Sequence, residues 1–150
     1  MITVSIIEKS ELNEGWLDML KAYAGVADTG QDSLLNILLN RAVLRVQEMA
    51  DKSLLACTMR VEADEASEGV RLYQTVKDIL SVKDCDACEI AYSQEGRTIY
   101  AMQDYVVVEY TTEPNSEDVD NLLPIVLQYA TALYDGQDNT VLANILKQCL

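Results

Sequence analysis

The sequence contains no histidine. That absence removes the usual general base, the usual proton shuttle and the commonest metal ligand, and with them any Ser-His or Cys-His pair. Bases are scarce as well: 11 lysines and arginines stand against 25 aspartates and glutamates, a formal charge of −14. No basic patch is present to hold phosphates, and a field of this sign repels nucleic acid and anionic membranes. No apolar run is long enough to span a bilayer; the strongest, at 122–127, is far too short. The opening residues, MITVSIIEKSE, show no basic region followed by an apolar one. No secretory signal is expected there, and a cytoplasmic site of synthesis is. There is no G-x-G-x-x-G, no Walker A loop and no G-x-S-x-G elbow. No acid sits in an apolar stretch that would raise its pKa. Glu109, between Val108 and Tyr110, is expected on the solvated face of a strand. The expectation is a protein that is not an enzyme and uses no cofactor.

Cysteine is present but sparse: Cys57, Cys85, Cys88 and Cys149. In a reducing cytoplasm they are expected as thiols. Cys85 and Cys88 form a C-x-x-C, half of what a zinc site needs, but no second pair matches it. A thioredoxin-like redox motif needs a strand before it and a helix after it, whereas SVKDCDACEIAY reads as leading into a strand. Cys85 and Cys88 therefore stand as weak metal candidates, with a structural or incidental role preferred.

What is there is a folded domain's worth of apolar residues, 49% of 150. The run at 32–52, DSLLNILLNRAVLRVQEMADK, places Leu35, Leu38, Leu39, Ala42, Val43, Val46, Met49 and Ala50 at helical spacing. Leu34 and Ile37 widen the apolar side, which predicts a core helix covered over most of its girth, with Asp32 as N-cap. Before it, 2–7 is β-prone, and Ser10 opens a helix over 11–23 with Trp16 as a core anchor. Residues 54–63 alternate, pointing Leu55, Cys57, Met59 and Val61 one way, as a half-buried strand does. The acidic 62–69 reads as an exposed loop. Residues 70–82 read as a strand followed by a short helical or irregular piece. Residues 88–93 and 97–102 flank Gln94-Glu95-Gly96 as a hairpin.

The clearest strand is 105–112, YVVVEYTT, with Val106, Val108 and Tyr110 on one face. Asn115 or Ser116 caps a helix running to Tyr134. Pro124 either falls in that helix's first turn, with Asn121 as the true cap, or kinks it. Asp135-Gly136 is a turn, and Asp138 or Asn139 caps a last helix carrying Val141, Leu142, Ile145, Leu146, Cys149 and Leu150. The fold class expected is α+β, mainly helical. Helices from both ends of the chain should pack together, with a small antiparallel sheet or extended hairpin from the middle.

The last third resembles the head–tail connector, or adaptor, proteins of tailed phages. In that family a V-x-V-x-Y strand leads through a turn to a helix ending in a Leu-Tyr pair and a polar residue, and a short last helix follows. Here the strand is Val106-Val107-Val108-Glu109-Tyr110, the pair is Leu133-Tyr134 before Asp135, and the last segment is TVLANILKQC. The opening SELNEGWLDMLKAYAGV and the helix after it are similar in layout. Two features depart from the family: Thr111-Thr112-Glu113-Pro114 replaces a glycine-aromatic pair, and Gly136-Gln137 follows Asp135.

The resemblance implies one connector-like domain over 1–150 in the neck of a virion, between capsid and tail. It implies a homo-oligomeric ring on the portal protein that extends the DNA channel and receives a stopper or tail-completion protein. It maps portal docking to 141–150, hence to Val141, Leu142, Ile145, Leu146 and Leu150. An apolar stripe on a short terminal helix suits a groove on a partner. Acids are concentrated after Arg97, where Lys147 is the only base against eight acids. That surface suits a conduit through which DNA passes without specific binding. The same charge supports a second reading, an acidic DNA mimic that inhibits a nucleic-acid enzyme.

Overall fold

The computed structural model describes all of residues 1–150. The chain is mixed α and β, 42% helix and 26% strand, so helix is the larger share without dominating. Contacts divide it into two compact units, each made from two separate segments. One unit is Met1–Ser10 with Leu55–Pro114, and the other is Glu11–Leu54 with Asn115–Leu150.

The first unit is a strand unit. Its main sheet has β1 (Ile2–Lys9), β2 (Cys57–Ala63), β4 (Val76–Lys83) and β7 (Val106–Thr112) in the order β1-β2-β7-β4, every neighbour antiparallel. A second sheet sets β3 (Val70–Arg71) beside β6 (Thr98–Tyr100) and β6 beside β5 (Ser93–Glu95). The alternation along β2 is realised fully, with Cys57, Met59, Val61 and Ala63 buried and the residues between them half-buried. In register across β7, Met59 faces Tyr110, Val61 faces Val108 and Ala63 faces Val106, so one apolar face runs across both strands. Glu109 lies on the other face, opposite Arg60.

The stretch 76–83 is a strand and contains no helical piece. Its residues take ladder positions on β7, with two register shifts that blur the period in the sequence. The hairpin β5–β6 is shorter than 88–102 and turns at Gly96, whose φ of +59° is a left-handed conformation that glycine adopts freely.

The second unit is helical, with α1 (Glu14–Ala24), α2 (Asp32–Ala50), α3 (Ser116–Tyr134) and α4 (Asn139–Leu146), followed by a 3₁₀ turn Lys147–Cys149. Helices α1, α2 and α3 pack mutually, and α4 packs on α3. Trp16, Leu20, Leu35, Leu39, Val43, Val46, Val126 and Ala130 are among its buried residues.

Several helix starts differ from the sequence reading. Asn13, not Ser10, caps α1, its Oδ1 accepting from the Gly15 N–H at 2.9 Å. Helix α2 has Gln31 at the cap position without a side-chain bond. Asp32 is instead its first helical residue and pairs with Lys21 Nζ at 2.8 Å. Leu34 and Ile37 are exposed, so the covered girth of α2 is narrower than its composition suggests. Asn115 caps α3 through Glu117 N at 2.9 Å, which leaves Pro124 inside the helix and not in its first turn. Lacking an N–H, Pro124 removes one rung of the α3 ladder. Asp138 caps α4, accepting from Val141 N at 3.1 Å. No helix is long and apolar enough to cross a membrane.

Candidate functional site

The C-terminal segment is positioned by two turns with definite chemistry. Helix α3 ends with Gln137 N–H donating to the Ala132 carbonyl at 3.0 Å, Gly136 taking φ +70° in between. Asp138 then starts α4 at once, so the chain reverses onto α3 within a few residues. The last turn is pinned by Gln148 Nε2, which donates to Gln128 Oε1 of α3 at 2.9 Å.

The five residues mapped to docking divide into three kinds. Leu146 is only 4% exposed and anchors α4 to its own unit. Leu142 and Ile145 are half-buried. Val141 is exposed, and Leu150 is 88% exposed at the chain end. The stripe is thus open at its two ends and seated in the middle. Beside it a groove of about 330 Å³ has Tyr23, Gln128, Thr131, Asp135, Val141 and Ile145 among its lining residues. Tyr23, in the last turn of α1, is itself exposed. A tyrosine at the end of an amphipathic helix can meet the periodicity and still project past the packed surface, so periodicity alone does not place it.

Cys85 and Cys88 are both exposed. A strand, β4, precedes them, and no helix follows. They belong to a turn closed by Asp84, whose Oδ1 accepts from Asp86 N at 2.9 Å and Cys88 N at 3.0 Å. The sequence had suggested a strand after the pair, but only a single bridge, Lys83 to Glu89, forms there. No group of three or more Cys, Asp or Glu side chains is arranged to hold a metal ion. Cys149 is partly buried, and that burial raises its thiol pKa. In the strand unit the Tyr105 phenol is also raised, first by desolvation and then by the charge of Glu62, to whose Oε2 it donates at 3.4 Å.

An antiparallel four-stranded sheet and a four-helix unit, with a short terminal helix folded back on the third, make a mixed α+β fold. A chain in the neck of an empty gene transfer agent particle, computed with C6 symmetry, shares this fold with a TM-score of 0.68. The match covers 98% of this chain and 94% of that one at 12% identity. A chain from the virion of a native gene transfer agent particle matches at 0.65 and 11% identity, over 97% and 94%. A third, from the neck of the native particle computed with C12 symmetry, matches at 0.55 and 12% identity, over 95% and 94%. No family model and no curated protein matches the sequence. At these identities what is shared is the fold, end to end.

Proposed function

We propose that this chain is a structural protein of a tailed-phage-type virion neck. It forms a ring on the portal vertex, extends the DNA channel and links the head to a stopper or tail, and it performs no catalysis. The observation that carries this reading is the fold match, over 98% of this chain, to a chain in the neck of a gene transfer agent particle. Two further features support it. The neck structures containing those chains were computed with cyclic symmetry, as rings require. The net charge of −14 disfavours adhesion of passing DNA. On this reading the helical and strand units together serve as one connector-like domain over 1–150.

Portal docking is assigned to Val141, Leu142, Ile145, Leu146 and Leu150. In this assignment Val141 and Leu150 make the first contacts, and Leu146 holds the helix in place. The test is to mix the purified protein with the portal encoded beside it and to image the product by electron microscopy. A ring of added density capping the portal is expected. Bare portals at protein concentrations well above micromolar would overturn the reading.

A further inference from the structure

Strand β1 is exposed along its whole length, although half of its side chains belong to the apolar face of the sheet. Ile2 faces Ala63, Val4 faces Val61 and Ile6 faces Met59, and all three partners are buried. Residues directly opposite in an antiparallel pair point to the same side. The buried face of β2 and β7 therefore continues onto β1, where Ile2, Val4 and Ile6 remain 50, 41 and 39% exposed. Natural edge strands are usually blunted by charges, proline or bulges. From Ile2 to Ile7 β1 has no charge and no proline, and its only irregularity falls at Ile7.

The other edge of the same sheet is β4, which Glu89 and Ile90 already cover at Val82 and Lys83, leaving residues 76–81 as the part a second copy can reach. Four strands, each antiparallel to its neighbours, leave the two edges running in opposite directions. An identical copy added head to tail, β1 against β4, therefore keeps the antiparallel alternation across the junction. The charges agree with that pairing. Lys9 faces Cys57, Thr58 faces Thr111 and Thr112 faces Val76, so the Glu8-Lys9 end of one edge lies level with Val76 at the other. In an unstaggered junction Glu8 of one copy meets Lys77 of the next, acid against base. Leu80, exposed on β4, supplies apolar surface at the same edge.

We infer that β1 of one copy adds to β4 of a second copy, and that this strand pairing is the contact that propagates the ring. The inference rests on the neck reading above and names its self-association surface. Repeated head-to-tail pairing is heterologous, which gives closed rings or open chains and does not stop at two.

The test uses the full-length protein alone, without portal, in sedimentation runs from about 10 μM to about 1 mM, a span that brackets weak homotypic affinities. Wild type is expected to form species larger than a dimer. Glu8→Lys should weaken that association about threefold to tenfold, and the double variant E8K/K77E should restore most of it, as expected for exposed charge pairs. Val4→Glu with Ile6→Glu should abolish it while leaving the far-ultraviolet circular dichroism unchanged. A wild type that stays monomeric, a series that stops at a dimer through β1 against β1, or a double variant no better than E8K would each overturn the inference. Portal docking is read in the separate mixing experiment, so either result can fail without the other.

Discussion

Tyr110 and Tyr73 are locked by a reciprocal pair of hydrogen bonds. The Tyr110 hydroxyl accepts from the Tyr73 N–H at 3.0 Å and donates to the Tyr73 carbonyl at 3.2 Å. Tyr110 is fully buried on β7, and Tyr73 lies in the turn between β3 and β4. One side chain thus supplies both backbone bonds that the turn would otherwise lack. Tyr110→Phe keeps the ring and leaves both groups of Tyr73 without this partner. The expected cost is about 1–3 kcal/mol, read as a lower urea midpoint at unchanged m-value. A midpoint equal to wild type would mean that water takes over both bonds.

Gly69 tolerates no side chain. Its φ is +112°, and a Cβ built there would lie 2.8 Å from Thr98 Cγ2 and 2.9 Å from the Tyr100 ring. Gly69→Ala combines a disfavoured backbone conformation with a clash against β6. It should cost at least about 2 kcal/mol, with damage centred on the small sheet. Hydrogen exchange is the suitable readout, with β3, β5 and β6 losing protection before β2 and β7.

Asp138 is the one side-chain cap of α4, a helix of eight residues that cannot persist without help. Asp138→Ala should cost about 1 kcal/mol and loosen the last helix. Portal attachment should weaken with it, while the melting of α1 to α3 changes little. Truncation of 141–150 should abolish attachment and leave the rest of the fold in place. Attachment that survives the truncation would remove the docking assignment.

Thiol reactivity should sort by burial. Cys85 and Cys88 are exposed, Cys57 is buried, and the Cys149 thiol is raised in pKa by its partial burial. The thiolate is the reactive form, so Cys149 should alkylate slowly at pH 8 and accelerate as pH climbs past the ordinary thiol value. Mass spectrometry after timed iodoacetamide treatment should show two modified sites first. Early modification of Cys57 would indicate that β2 opens readily.

Much of this architecture was legible in the residues. Strand 105–112 announced itself because a β-branched run with a buried alternate face suits few other structures. Helices α2 and α3 announced themselves because apolar residues recur at helical spacing over five turns. Helix starts were less legible. Asn13 and Ser10 are both good caps, and which one is used depends on where α1 packs, not on the cap itself. The strand at 76–83 was obscured because two register shifts break its alternation, and its pairing with the distant β7 holds it extended.

The sequence by itself determined the composition-level facts: the charge of −14, the absence of histidine chemistry, the main helices and strand β7. These follow from residue type and short-range spacing. Only the tertiary structure decided that β1 and β4 are the two edges of one sheet, that β1 carries an exposed extension of an apolar face, and that Leu146 is seated while Leu150 is free. The reason is physical. A strand's place in a sheet, and the burial of a residue on an amphipathic helix, depend on partners distant in the chain, and local spacing carries no record of which partner arrives.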